Sequence, residues 1–413
     1  MANSTSSSLL KLPVELVYRI LENLDYLTIL CSVHNVCTRL NMITDAYPAY
    51  KTIDTLDLSA DRAGNIQLTR IIDALQHNTT VTTLVGRDHR VGDEEAARIA
   101  SILQQKTVLT TLDLRNNGIS VEGTKQIADA LQHNETLTTL DLCWSQIGVD
   151  GARRFADALR HNKTLTTLHL RDTGLGDEGA TLIADALKHN TTLITLNLRY
   201  NRIGAVGATG IADALKHNTT LTTLDLSVNA IDDEGATQIA DALKTNKTLT
   251  TLDLRSNEID VDGASRMADA LQENTTLRML DLSVNVIGVE GATKIINALK
   301  DNKVIPNQCS TTVFYFSFFF TQTLTTLILA NNHIGNEGAT EIANALPHNK
   351  TLTTLDLTNN RIRNEGARCI TDALQHNTTL TKLNLNFENV TDDIRNQFEE
   401  RLRQNQQQEM AVC

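Results

Sequence analysis

Leucine stands at Leu56, Leu84, Leu112, Leu140, Leu168, Leu196, Leu224, Leu252 and Leu280, each 28 residues after the last. The series resumes at Leu327, Leu355 and Leu383. A period of this length marks a supersecondary unit that cannot bury its apolar face alone, so neighbouring copies must stack. That cancels the inference that 413 residues make two or three domains, because an array grows without enlarging one core. One unit, from Leu112, reads LDLRNNGISVEGTKQIADALQHNETLTT. Leu109, Leu112 and Leu114 predict a short strand with one buried face, since Leu112 and Leu114 alternate with period two. Ala130 and Leu131 follow Ile127 by three and four residues, the apolar stripe of a helix. Aromatic residues are only 4 % of the chain against 41 % hydrophobic, so the shared core must be Leu, Ile and Ala.

The pattern LxxLxLxxNxL followed by a full helix resembles the leucine-rich-repeat family, in its ribonuclease-inhibitor-like subtype, over roughly residues 52–405. The resemblance implies an α/β fold: a horseshoe-shaped solenoid, with a parallel sheet on the concave face and helices outside. The repeats themselves are expected over 52–390. The family's asparagine falls at Asn117, Asn201, Asn229, Asn257, Asn285, Asn332 and Asn360. A buried amide there is expected to bond backbone groups of adjacent turns that would otherwise be unpaired. Ser145 and Thr173 replace it with smaller polar groups, and Glu388 breaks the pattern near the end. Gly123 and its equivalents are expected to let helix starts approach closely.

Several motifs dissolve into the repeat. Asn-x-Thr sequons recur at Asn78, Asn134, Asn162, Asn190, Asn218, Asn246, Asn274, Asn349 and Asn377. Their reading as glycosylation sites is set against an asparagine ending each helix in a left-handed cap, and the N-terminus has no secretory signal to favour glycans. His161 and its equivalents suit helix ends better than a metal ladder. Gly204, Gly207 and Gly210 lack the following Lys-Ser/Thr of a phosphate loop. No nucleophile–base–orienter set appears, so no enzyme, cofactor or metal is expected. A net charge of −12 argues against a nucleic-acid partner. Six scattered cysteines without a Cys-x-x-Cys pair fit a reducing compartment, cytoplasm or nucleus. The longest apolar run, Val313 to Phe320, is too short to cross a bilayer.

The ends differ from the repeat. Thr391 to Gln404 carries Asp392 and Asp393 early, Arg401 and Arg403 late, and Ile394, Phe398 and Leu402 at spacing four. This predicts a capping helix over 391–405, with a frayed tail over 406–413. At the other end, residues 1–8 are expected to be disordered and 9–50 to form a small all-α module. There, Leu12-Pro13-x-Glu15-Leu16, then Ile20-Leu21 and Leu24, resemble an F-box, although Thr38-Arg39-Leu40 stands where that family has Trp. The resemblance implies an adaptor-binding face of Leu12, Pro13, Leu16, Ile20, Leu21 and Leu24, docking on the adaptor of a cullin-type ubiquitin ligase. A plain helical cap over the first repeat is the alternative, and the two are compatible.

Target recognition is expected on the concave face. One strand column reads Asp113, Asp141, His169, Asn197, Asp225, Asp253 and Asp281. The next reads Arg87, Arg115, Cys143, Arg171, Arg199, Ser227 and Arg255. Most of this is Asp beside Arg, which reads as a solvated, self-paired charge lattice. The monotony breaks where Arg115, Trp144, His169, Arg171, Arg199 and Tyr200 fall on consecutive repeats. Trp, Tyr and Arg are the residue types enriched at binding hot spots, so these six are the candidate target contacts. The alternative for Trp144 is that it folds down over the neighbouring repeat. The function implied is a non-enzymatic substrate receptor, holding a protein target on the repeats while the F-box recruits the ligase. A protein-recognition scaffold like ribonuclease inhibitor, unrelated to ubiquitin, is the runner-up.

One interruption has its own logic. Leu280 to Leu327 exceeds the period by 19 residues, the length of Val304 to Gln322, VIPNQCSTTVFYFSFFFTQ. Deleting it joins Asn302-Lys303 to Thr323-Leu324 and restores the NKTLTTL found from Asn162 and Asn246. Val codons begin GT, a Gln codon can be CAG, and a Phe-rich run is pyrimidine-rich. The hypothesis is an intron retained in frame, against a genuine surface loop. Mature transcripts sequenced across this point should include a form without the segment; transcripts that always keep it would sink the idea.

Overall fold

The computed structural model describes residues 13–22, 42–43, 54–58, 72, 75–76, 78–105, 108–300, 323–388 and 390–412. The chain divides into two compact units, Met1–Thr173 and Gly174–Cys413. The first holds strands β1 (Thr55–Asp57), β2 (Thr83–Val85), β3 (Thr111–Asp113), β4 (Thr139–Asp141) and β5 (Thr167–His169). Its helices are α1 (Val14–Leu21), α2 (Asp93–Leu103), α3 (Val121–Leu131) and α4 (Gly148–His161). The second alternates helices and strands: α5 (Gly176–Leu187), β6 (Thr195–Asn197), α6 (Ala205–His217), β7 (Thr223–Asp225), α7 (Asp232–Thr245), β8 (Thr251–Asp253), α8 (Val261–Glu273), β9 (Met279–Asp281) and α9 (Gly288–Ala298). It continues with β10 (Thr326–Ile328), α10 (Gly335–Ala345), β11 (Thr354–Asp356), α11 (Asn364–Ala373), β12 (Lys382–Asn384) and α12 (Asp392–Val412). Within each unit the strands pair in parallel and in sequence order, leucine opposite leucine, as in Leu112↔Leu140 and Leu252↔Leu280. This is the strand–helix solenoid expected from the period.

The apolar positions behave as read. Leu112, Leu114, Ile127, Ala130 and Leu131 are at most 1 % exposed. A Cβ on Gly291 would lie 2.5 Å from Ile287 Cγ2 and 2.9 Å from Ala264 Cβ, so glycine is what lets α9 start against α8.

Polar ladders close the backbone between turns. The Asn117 carboxamide donates to Leu114 O and accepts from His89 N at 2.8 Å, 28 residues away. The threonine hydroxyls form another: Thr138 Oγ1 donates to Thr110 O, and Thr166 Oγ1 to Thr138 O. The sequon asparagines form a third, and here the left-handed cap is corrected. Asn162, Asn218, Asn246 and Asn274 have φ between −77° and −66° and extended ψ. Their side chains do the capping instead. Asn162 Oδ1 accepts from Thr164 N and Leu165 N, while Nδ2 donates to Leu131 O one turn back. Asn162 is 2 % exposed, so its amide has no room for a glycan. The strand aspartates add a fourth device, an Asx-type bond that ties off each strand. Asp141, Asp225, Asp253 and Asp281 each accept the N–H two residues on, at 2.8–3.0 Å.

Residues 304–322 lie outside the described residues, but their flanks keep register. β9 and β10 pair Leu280↔Leu327, and Asn332 Nδ2 reaches Leu282 O over 50 residues where Asn360 reaches Leu329 O over 31. The difference equals the length of the segment.

The C-terminus departs from expectation. α12 runs to Val412, so the stretch from Gln406 continues the helix. No Gly or Pro interrupts residues 392–412. Asn405 is buried, with Nδ2 donating to Asn377 O and Leu380 O, and Gln406 Nε2 donates to Thr381 O. Ile394 and Phe398 are buried as the stripe predicts. In the N-terminal segment, α1 begins after Pro13, with Leu16 and Ile20 exposed. Leu21 is 1 % exposed and buried with Val17 four residues earlier, so it drops out of the exposed face expected there. Leu12 and Leu24 lie outside the described residues, as do residues 1–8.

Candidate functional site

In the first unit the strand-end aspartates are neither solvated nor idle. Asp113 and Asp141 are 7 % and 9 % exposed. Arg115 pairs with Asp113 at 2.7 Å and Asp141 at 3.1 Å, and Arg87 reaches Asp113 at 2.6 Å. Burial pushes the Asp113 carboxyl up, but hydrogen bonds from Arg115 and Arg87 outweigh it and hold the group below the usual carboxylate range. The charge lattice is therefore real but largely buried, and Arg115 is committed to it. The position read as a free target contact is a structural cation first. Burial of Cys143, one strand on, pushes its thiol up to about 12, which makes it inert.

Trp144 occupies the turn after β4, not the strand itself. Its backbone is left-handed, φ +60°, with its N–H donating to Arg171 O at 2.9 Å. The indole is 40 % exposed, and the Arg171 guanidinium lies over it, 4.7 Å from the ring centroid. Arg171 has no carboxylate partner among the described residues, and its Nε is buried without a hydrogen bond. Trp144 shares a recess of about 340 Å³ with Arg87, Asp88, Arg115 and Asn116. Half-buried His169 stands on β5 opposite Asp141. Arg199 and Tyr200 belong to the second unit, with Tyr200 50 % exposed at φ +59°.

The second unit holds a feature that the strand columns concealed. The turns after its strands enclose a groove of about 950 Å³. Its floor includes Tyr200, Val228, Val284 and Val286, with Arg202, Glu258 and His333 among the charged or titratable lining groups. Val284 and Val286 are 47 % and 53 % exposed. Val228 and Val284 have φ of +56° and +55°, a region that costs a β-branched residue more than Gly, Asn or Asp. Equivalent positions elsewhere hold Asn116, Asn331 and Asn359. The sequence alone does not single out the two valines, because the same column also holds Trp144 and Tyr200.

Beside this groove the aspartate column lacks the arginine neutralisation of the first unit. Asp225, Asp253 and Asp281 face one another on β7, β8 and β9. Ser227 and Ser283 hydroxyls donate to Asp225 and Asp281, whereas Asp253 takes the Arg255 backbone N–H and no ion pair among the described residues. Burial, with the Asp281 and Asp225 charges adding to it against the Arg255 N–H and charge, pushes the Asp253 carboxyl up to about 6.

Comparison with known proteins bears on the repeat. The profile of one family, described as Leucine Rich repeat, matches residues 105–128, 133–156, 161–184, 189–212, 217–240, 245–268, 273–295, 321–343 and 348–370. A search among curated proteins finds no match. Among solved structures, Leiomodin-1 Actin-Binding Site 2 (ABS2) is 27 % identical with a TM-score of 0.32, over 37 % of this chain and 88 % of that one. No described helix is long and apolar enough to cross a membrane.

Proposed function

We propose, from the premise that this chain belongs to the leucine-rich-repeat family, that it is a non-enzymatic protein-binding scaffold and acts as the substrate receptor of a cullin-type ubiquitin ligase. The observation that carries the binding role is the Trp144–Arg171 stack. A half-exposed indole and a guanidinium without a carboxylate among the described residues have little reason to sit together at surface turns except to meet a partner. The proposed target contacts are Trp144 and Arg171 in the first unit, with His169 nearby on β5 and Arg115 holding Asp113 and Asp141, and Arg199 and Tyr200 in the second. Their chemistry favours a target surface with acidic and apolar groups.

The ligase link is supported by the F-box-like motif and by the exposed apolar side chains of α1. Val14, Leu16 and Ile20 are 38 %, 43 % and 37 % exposed on a helix outside the repeat. The proposed adaptor face is Pro13 before α1 with Leu16 and Ile20 on it, Leu12 and Leu24 being carried from the F-box-like motif alone and Leu21 removed by its burial. A ribonuclease-inhibitor-like scaffold, with α1 as a plain cap, is the second reading, and the burial of Val17 and Leu21 favours it. Affinity purification of the full chain with mass spectrometry of its partners should recover a cullin-ligase adaptor. Leu12→Ala with Pro13→Ala should abolish that recovery while the far-ultraviolet circular dichroism of the repeats stays unchanged. Contact leucines in a desolvated patch cost ~2 kcal/mol or more each. Recovery of targets without any adaptor from the unmutated chain would leave the scaffold reading and end the ligase one.

A further inference from the structure

The second unit offers a surface chemically opposite to the Trp144–Arg171 stack. Its groove sets Tyr200, Val228, Val284 and Val286 among polar turn residues, and two of those valines are conformationally costly ones. A left-handed residue with a Cβ costs roughly 1–2 kcal/mol, and asparagine escapes part of that through local hydrogen bonding. Val228 and Val284 are thus poorer choices for folding than the asparagines at equivalent turns, and burial does not repay Val284, which is 47 % exposed. Three residues upstream of Val228, Ser256 and Val284 stand Asp225, Asp253 and Asp281. At roughly 3.3 Å per residue, that column runs within about 10 Å of the groove. Asp253 is compressed between two like charges and lacks an ion pair among the described residues. Glu258 adds a carboxylate to the groove lining. The lining itself balances Glu258 against Arg202, with His333 beside them, and the excess of acid lies in the adjoining strand column, Asp225, Asp253 and Asp281 against Arg255.

We propose that this groove docks a polypeptide segment carrying apolar and lysine or arginine side chains side by side, apolar groups on Val228, Val284 and Val286, cations toward Asp253 and Glu258. The inference rests on the protein-binding reading of the chain and not on the ubiquitin-ligase link. A bound cation satisfies the Asp253 charge that its surroundings leave uncompensated. Occupancy should therefore favour the carboxylate and weaken as pH falls through about 6. The groups facing Asp253 in that titration are Asp225 and Asp281 on the neighbouring strands and Arg255 on its own.

The test is a phage-displayed random twelve-residue peptide library panned on the full chain at pH 7.5, with enriched peptides resynthesised for affinity measurement. Enriched peptides should combine basic and apolar residues. They should lose about tenfold or more in affinity on a Val228→Asn, Val284→Asn variant that is at least as heat-stable as the parent. Asp253→Asn should weaken them several-fold at pH 7.5. The Trp144→Asn, Arg171→Ala variant should bind them unchanged, which separates failure here from failure of the target patch. Absence of enrichment, enrichment of acidic peptides, or affinities indifferent to the valine substitutions would each overturn the proposal.

Discussion

Asn360→Ala should lower the stability of the second unit by about 3–5 kcal/mol, although it removes only three side-chain heavy atoms. Asn360 is 1 % exposed. Its Nδ2 donates to Leu329 O at 2.8 Å and Leu357 O at 3.0 Å, and its Oδ1 accepts from Asn332 N at 2.8 Å and Ile334 N at 3.3 Å. These backbone groups end strands or begin turns, where no ladder partner is at hand. Truncation orphans two donors and two acceptors, at about 1–3 kcal/mol for each group that water cannot reach. Ser145→Ala, at the equivalent place, should change stability by less than about 0.5 kcal/mol, because the buried Ser145 Oγ has no hydrogen-bond partner. Urea unfolding gives the comparison. Amide exchange at Asn332 and Ile334 shows whether loss is local, as a one-dimensional array allows. Similar losses in the two variants would contradict the ladder account.

That contrast shows what the sequence made legible. The period located every strand within the described repeats, because Leu112 and its equivalents have one possible burial and a three-residue strand leaves no room for slip. The motif asparagine was readable for the same reason: a polar residue in an apolar frame must be bonded. The sequon asparagine was harder. Helix-end asparagine suggests a left-handed cap by frequency, yet Asn162 keeps φ at −66° and satisfies the end with its side chain. Both conformations place the same residue at the same position. The strand aspartates misled in another way. Charge patterning treats each as solvated, whereas strands about 4.8 Å apart crowd neighbouring carboxylates until some are buried. Whether arginine rescues them, as at Asp113, or not, as at Asp253, depends on which side chain reaches across, and periodicity does not encode reach. The valine groove was hidden because its residues belong to turns. Only the φ of +55° at Val284 reveals the valine there as a cost.

Trp144→Asn combined with Arg171→Ala should reduce affinity for whatever proteins co-purify with the parent chain by about 100-fold or more. Two hot-spot truncations at about 2 kcal/mol each set that scale, with some loss of additivity because the two side chains touch. Asparagine is the better replacement at Trp144. The position has φ +60°, the equivalent Asn116 has φ +54°, and alanine would add backbone strain to the lost contact. The fold should survive, since the indole is 40 % exposed and Arg171 forms no ion pair among the described residues. A salt titration adds an independent check. If Arg171 meets an acidic partner, binding by the parent chain should weaken as ionic strength rises, and the double variant should lose most of that slope. The equivalent change at Arg115 should behave differently: Arg115→Ala strips Asp113 and Asp141 of their cation, so stability should fall along with any affinity. Undiminished capture by the Trp144–Arg171 variant, or collapse of its fold, would show that the stack is structural and that the target binds elsewhere on the repeats.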